Sequence, residues 1–330
     1  MSLKKHYTSL LAIVIGAVCL SQNANAQLLG YEGFNYTSGS ALAGQSTGSG
    51  LFGTWTTKTP GASSSVASSG LTYTDGSGNV LSTSGNSGVS IGSSSTDNPQ
   101  LLFGSTLGVA SGATATAGSG TIWMSFLWQG LNTSSTGSFF RQASFGLYYG
   151  MTTTSASGSE ALDIGIPNIS SANVSTVNPN LSVWYGGHAP GTLGTSQTSS
   201  STAPAIDTGV AANGGNTLFV VLELQMDNSS TTADTLNMWV NPTLGGSTPT
   251  GTKFTYSLAD MTSINGIRMS GDGVNATYGT IAGEQQYDEF RAGGTFADVS
   301  PIAPVPEPST MSLAGISGVA ILLALRRRQA

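Results

Sequence analysis

Two stretches of strict alternation constrain this chain more than any other feature. Across Thr121–Gln129, Ile122, Met124, Phe126 and Trp128 fall on one side, and Thr121, Trp123, Ser125, Leu127 and Gln129 on the other. Across Thr217–Asp227, Leu218, Val220, Leu222, Leu224 and Met226 oppose Thr217, Phe219, Val221, Glu223, Gln225 and Asp227. A period of two places successive side chains on opposite faces of a β-strand, so each run reads as a strand buried on one side and mixed on the other. The same reading places strands at Phe139–Tyr149, Ala161–Ile166, Leu181–Tyr185, Thr235–Val240, Lys253–Tyr256, Ile264–Met269 and Gln286–Phe296. Shorter ones precede them at Leu28–Tyr36, Leu51–Thr57, Leu71–Tyr73, Val80–Leu81, Val89–Ile91 and Leu101–Phe103.

No convincing helix stands between Gln27 and Ser300. With 45 Gly in 330 residues, only 8% charged residues, and Ser, Thr and Asn at most polar positions, the composition works against helices. Gly costs backbone entropy there, and the short polar side chains compete for main-chain hydrogen bonds. Gly- and Ser-rich stretches such as Ser111–Gly120 and Thr192–Pro204 read as loops. Short strands divided by such clusters are the mark of an all-β sandwich. The net charge is −6, and between the two ends only Lys58, Arg141, Lys253, Arg268 and Arg291 are basic. So few cations cannot neutralise a run of phosphates, which excludes nucleic acid as a partner.

Both ends read as addresses. Lys4 and Lys5 precede the apolar run Leu10–Leu20, and Ala24 and Ala26 occupy the −3 and −1 positions of a cleavage site. That is the pattern of a secretory signal peptide, with a mature start near Gln27. Cys19 leaves with the peptide, so the mature chain is stabilised by its core and not by disulfides. At the other end Val305-Pro306-Glu307-Pro308 leads into the apolar stretch Met311–Leu325 and then Arg326-Arg327-Arg328. As a helix this stretch spans about 22 Å against a hydrocarbon core of about 30 Å, a marginal span suited to a transient stay in the membrane. The arginines would hold the end on the cytoplasmic side.

This tail resembles the PEP-CTERM sorting signal, with Pro306, Glu307 and Pro308 as its motif. The resemblance implies processing by exosortase, a membrane protease that removes the tail, in a bacterium with an outer membrane that makes extracellular polysaccharide. A second resemblance rests on an ordered set of motifs. These are Tyr31-Glu32-Gly33-Phe34-Asn35-Tyr36, the strand Ile122–Trp128, Trp239-Val240-Asn241-Pro242, and Tyr287-Asp288-Glu289-Phe290-Arg291. Together they are similar to concanavalin-like (laminin-G-like) jelly-roll modules, which implies a two-sheet antiparallel β-sandwich. The expected organisation is a signal peptide over 1–26, a jelly-roll β-sandwich domain over 27–300, and a Pro-rich linker with the sorting motif over 301–310. A short hydrophobic helix over 311–325 and a basic cytoplasmic tail over 326–330 follow. The Pro-rich segment Pro301–Pro308 reads as extended and unable to join a sheet.

The chemistry on offer is narrow. The mature chain has one histidine, His188, and no Gly-x-Ser-x-Gly elbow, which argues against a Ser–His nucleophile. Concanavalin-like hydrolases commonly carry Glu-x-Asp-x-Glu on one strand. The nearest approach here is Glu223-Leu224-Gln225-Met226-Asp227, whose carboxylates lie about 13 Å apart along the strand. Glu160 and Asp163 fall on opposite faces by strict alternation. The chain is therefore read as no enzyme, with a jelly-roll glycoside hydrolase as the alternative. Asp272, Asp288, Glu289 and Asp298, with loop carbonyls, are hard oxygen donors from which a Ca2+ site would be built. The competing reading makes Asp272-Gly273 a turn and lets Asp288 and Glu289 balance Arg291 or Arg268. No other cofactor is implied.

The ligand expectation is aromatic. Trp123 and Trp239 alternate away from the apolar stripes of their strands, and Gln129, Glu223 and Asn237 would offer hydrogen bonds to sugar hydroxyls beside them. The competing reading has these rings filling a minor core beneath loops. The functional expectation is an exported protein of the cell surface or extracellular matrix, associated with extracellular polysaccharide. A structural or adhesive protein without a specific ligand is the other alternative. Mass spectrometry of the exported protein should give a mature start near Gln27 and no Met311–Ala330. Changing Pro306-Glu307-Pro308 to alanines should leave the chain in the membrane. Surface protein that still carries Arg326–Arg328 would contradict this reading.

Overall fold

A computed structural model describes residues 28–46, 48–57, 64–91, 98–103, 120–131, 143–149, 159–166, 180–184, 206–212, 214–226, 234–258, 264–271 and 283–304. In chain order the elements are β1 (Leu28–Glu32), β2 (Ser49–Gly50), β3 (Phe52–Thr57), β4 (Ser65–Val66), β5 (Gly88–Ile91) and β6 (Pro99–Phe103). Then come β7 (Gly120–Gly130), β8 (Ala143–Tyr149), β9 (Ser159–Ile166), β10 (Asn180–Trp184), β11 (Ile206–Ala211) and β12 (Leu218–Met226). The last are β13 (Asp234–Val240), β14 (Phe254–Leu258), β15 (Ile264–Gly271), β16 (Glu284–Gly293) and the four-residue helix α1 (Phe296–Val299).

The strands form two sheets. The first runs β14-β13-β12-β7-β16-β1-β2, with β5 also paired to β16 and β4 paired to β5; the second runs β11-β10-β9-β8-β15-β6-β3. Pairing is antiparallel in both, as in the register Leu222↔Met124 at the centre of the first sheet and Ile267↔Leu147 in the second. The chain is thus an all-β, two-sheet antiparallel sandwich, as the alternation predicts.

The two inner faces meet in a core that includes Met124, Phe126, Trp128, Val220, Leu222 and Leu224 from the first sheet and Phe145, Leu147, Leu162, Ile164, Leu181 and Ile267 from the second. Its aromatic centre stacks Phe126 on Phe145 at 4.2 Å and sets Phe290 5.8 Å from each. Buried Gln285 links the sheets by polar bonds. Its Oε1 accepts from Trp128 Nε1 at 2.7 Å, and its Nε2 donates to the carbonyls of Ser144 and Ser270 on the opposite sheet. A buried amide is stable here because it exchanges its water partners for three hydrogen bonds.

Five details differ from the sequence reading. Leu71–Tyr73 and Val80–Leu81, expected as strands, form none; this stretch makes only the isolated bridges Thr74↔Val80 and Leu81↔Ile302. Strand β11 lies beyond the loop expected over Thr192–Pro204 and was not anticipated, because Ile206–Ala211 alternates weakly. The first strand stops at Glu32 rather than running to Tyr36. The Glu32 carboxylate accepts from Phe34 N at 2.7 Å and from Tyr36 OH at 2.6 Å, which curls the chain and holds Phe34 at a φ of 51°. The strand expected to reach Phe296 stops at Gly293, where Thr295 and Asp298 form a reciprocal capping box that starts α1. Finally, part of the Pro-rich linker does pair: Ile302 bridges Leu81, with Ser82 N donating to Pro301 O and Ala303 N to Val80 O. Proline lacks only its own donor, and its carbonyl remains free to accept.

Leu222 is buried at the centre of β12. Leu222→Ala should destabilise the domain by about 2–5 kcal/mol, measured by chemical denaturation. Unchanged stability would contradict its place in the core.

Candidate functional site

The outer face of the first sheet holds the residues expected to grip a sugar. Strand β12 lies between β7 and β13, so Trp123 and Trp239 do share a sheet. They face away from the main core, but they stack on one another at 5.6 Å and 24°, with Phe296 of α1 5.9 Å from Trp123. Their exposures are 9% and 7%. With Leu71, Tyr73, Leu81, Leu127, Phe219, Val221, Leu244 and Val299 they make a second core. The open aromatic platform is therefore corrected to a minor core. Val221 and Phe219 are as apolar as the inner face of β12, and a face with those residues is stable only beneath a roof.

That roof is tied by polar bonds. Asp75 accepts from the main chain of Ser77, Asn79 and Leu244, and Tyr73 OH donates to Pro242 O. Beside the tryptophans, Asn237 Nδ2 donates to Glu223 Oε2 at 2.8 Å, and Thr255 Oγ1 donates to Asn237 Oδ1 at 2.7 Å. Gln129 stands apart and donates to Gly215 O. The five residues therefore do not converge on one binding surface.

Asp288 and Glu289 are engaged in other bonds. At a bulge in β16 between Asp288 and Arg291, Glu289 adopts a φ of 57°, a left-handed conformation costly for a residue with a side chain. Its carboxylate accepts from Tyr31 OH and Ser84 N and pairs with Arg291, which also donates to Ser82 O. Asp288 accepts from Leu71 N and Glu289 N, both at 2.8 Å. These carboxylates fasten the 71–84 segment to β16. An arginine and main-chain donors engage both carboxylates, with Glu289 paired to Arg291 as in the charge-balance reading. Asp272, His188, Ala24, Ala26, Pro306, Glu307, Pro308 and the apolar stretch 311–325 lie outside the described residues. Among the described residues no helix is long and apolar enough to cross a membrane.

The outer face of the second sheet is different in kind. The registers align Thr56, Gln100, Arg268, Gly146, Asp163 and Trp184 in one row across β3, β6, β15, β8, β9 and β10. The next row holds Ser270, Ser144, Gly165 and Ser182. In the first row the Arg268 guanidinium lies 4.0 Å over the Tyr148 ring and donates to Gln100 Oε1 at 3.3 Å. Ser144 Oγ donates to Asp163 Oδ1 at 3.1 Å. Asp163 has an exposure of 0%, and its Oδ2 accepts no hydrogen bond from the described residues. Gly146, between Arg268 and Asp163, is closely covered: a Cβ there would lie 2.6 Å from Asp163 Oδ1 and 2.7 Å from Tyr148 Cε2, so only glycine lets these two side chains pack over the strand.

This polar row was not singled out from the sequence. Its signal was the other half of the alternation, Ser144, Gly146 and Tyr148 against Phe145 and Leu147. The register also shifts between Leu147 and Tyr148, so Glu160 stands opposite Tyr148 while Asp163 stands opposite Gly146. Strict alternation does not hold across that irregularity, and it cannot assign Glu160 and Asp163 to opposite faces.

Burial raises the Asp288 carboxyl to about 9, and neighbouring Glu289 reinforces the rise. In the unfolded chain the group ionises near 3.8. Between these limits the folded chain holds the proton more tightly, so this contribution to stability falls as pH rises. The melting temperature should drop from pH 5 to pH 9, and Asp288→Asn should flatten that drop. An unchanged pH slope in the variant would contradict the assignment.

A family model for the PEP-CTERM protein-sorting motif matches residues 304–328. The motif implies export and membrane-transient processing in a bacterium. No curated protein matches the chain. Among solved structures, the chain is similar to an endo-β-1,4-glucuronan lyase from the fungus Trichoderma reesei, with 14% identity, 80% of this chain and 99% of that one covered, and a TM-score of 0.42. It is similar to a GH131 β-glucanase catalytic domain from Podospora anserina at 9% identity, covering 82% and 99%, with a TM-score of 0.45. A third likeness is to domain 4 of a GH43 extracellular arabinanase from Geobacillus stearothermophilus in complex with arabinotriose, at 12% identity, 84% and 99% coverage and a TM-score of 0.39. Nothing about ligand or reaction passes from these structures to this chain. The chain carries a PEP-CTERM protein-sorting motif on a two-sheet antiparallel β-sandwich.

Proposed function

We propose that the sandwich is a non-enzymatic, polysaccharide-associating protein of the cell surface or extracellular matrix, and that the row Gln100–Arg268–Gly146–Asp163 is where it meets the sugar chain. The observation that carries this reading is Asp163. Its Oδ2 is buried and has no donor among the described residues, and such a bond is costly to leave unmade. A sugar hydroxyl that reaches this buried row supplies the missing donor. Arg268 and the serines offer further polar contacts, and Tyr148 offers a ring. The row holds one Arg and one Asp, with no second carboxylate among its described side chains to serve as an acid–base partner, so binding is favoured over turnover.

Asp163→Asn keeps the shape while replacing an acceptor oxygen with a donor. Co-sedimentation of the purified body with the bacterium's own extracellular polysaccharide should fall severalfold in this variant and in Arg268→Ala, with the fold retained by circular dichroism. Binding equal to the parent in both variants would overturn the assignment. Release of new reducing ends or unsaturated sugars by the parent would replace binding with catalysis.

A further inference from the structure

Gln285 is a polar residue at an apolar position. It shares the inward side of β16 with Tyr287 and is fully buried. Every bond its amide makes has a fixed direction. Oε1 accepts from Trp128 Nε1 at 2.7 Å, and the two Nε2 hydrogens go to Ser144 O at 3.1 Å and Ser270 O at 2.9 Å. Trp128 and Gln285 stand on the first sheet, and both carbonyls belong to the second. Ser144 and Ser270 are directly opposite one another on β8 and β15. One side chain of the first sheet therefore holds two neighbouring strands of the second at a single point.

That point lies directly beneath the polar row. Ser144 turns its carbonyl to Gln285 and its hydroxyl to Asp163 Oδ1, at 3.1 Å, on the outer side. The usual O–H···O distance is about 2.7–2.8 Å, so a small further displacement of Ser144 ends this bond. The residue paired with Ser144 on β9 is Gly165, and Gly146 stands two residues along β8, opposite Asp163. Neither of these neighbours has a side chain to hold Ser144 in place. Its position is set from the inner side.

We propose that Gln285 is a positioning residue for the polar row: through the Ser144 carbonyl it places the hydroxyl that orients Asp163. This role rests on the reading in which the row meets the sugar chain. The competing role is purely structural. In it the amide only satisfies Trp128 and two carbonyls, and its loss loosens the domain as any core change would.

The test measures binding of the exported protein to the bacterium's own extracellular polysaccharide, by co-sedimentation over a range of polymer concentrations and well below each variant's melting temperature. Gln285→Met keeps the length of the side chain and removes all three bonds, and half-saturation should then need severalfold more polymer. Ser144→Ala removes only the hydroxyl and should weaken binding to a similar extent, which tests the route even where Gln285→Met does not fold. Leu222→Ala, a core change on the same sheet outside this set of bonds, should bind as the parent does. Asp163→Asn combined with Gln285→Met should bind no more weakly than Asp163→Asn alone, because both act through one group. Parental affinity in Ser144→Ala, or in a folded Gln285→Met, overturns the positioning role while leaving the reading of the row intact. A further loss in the double variant, or an equal loss in Leu222→Ala, also overturns it and assigns Gln285 to general stability. Parental affinity in Asp163→Asn overturns the reading of the row itself, and the positioning role with it.

Discussion

The first sheet must be buried on both of its faces, and much of the molecule follows from that. Strand β12 carries Val220, Leu222 and Leu224 inward and Phe219 and Val221 outward, all buried. Its neighbour β7 does the same with Phe126 and Leu127. Opposite its inner face stands a second sheet with matching apolar stripes. Among the described residues no third sheet covers its outer face; α1, the 71–82 segment, the turn around Leu244 and Pro301–Ala303 cover it piece by piece. Such a patchwork gains less regular hydrogen bonding than a sheet does. It is held instead by side chains that bind main chain: Asp75 to Leu244, Asp288 to Leu71, Glu289 to Ser84 and Arg291 to Ser82.

The bulge in β16 makes this fastening possible. An uninterrupted strand would send Asp288, Phe290 and Ala292 to one face. By inserting an extra residue with a left-handed φ at Glu289, the chain turns Phe290 into the main core while Asp288 and Arg291 remain on the roofed side. The strain at Glu289 is offset by bonds from Tyr31, Ser84 and Arg291 to its carboxylate. The raised proton affinity of Asp288 arises from the same arrangement, since two carboxyl groups are buried side by side with a single guanidinium near them.

What could be read from the sequence was what depends on local period. The alternation at Thr121–Gln129 and Thr217–Asp227 fixed two central strands and their inner faces, because burial on one side leaves a repeat of two. The same alternation sent Trp123 and Trp239 outward, which is where they are. It could not show that α1 and Leu244 would close over them, since those contacts join residues far apart in the chain. Helix α1 did have a local sign, the Thr295/Asp298 capping box, which an expectation of uninterrupted strand obscured. The polar row on the second sheet was the least legible part. It depends on the registers of six strands, on a register shift opposite Leu147–Tyr148, and on the absence of a side chain at Gly146.

The two outer faces are built differently. One is roofed, and the last segment of its roof, Pro301–Ala303, directly precedes the sorting motif. The other carries a buried polar row with Gln100, Arg268 and Asp163. Trp123 and Trp239 stand where apolar burial is most needed. Asp163 stands where apolar burial is already satisfied by Leu162 and Ile164 on the inner side of its strand. An ionisable side chain buried at such a position, with one oxygen bonded to Ser144 Oγ, depends on polar partners that apolar packing cannot supply.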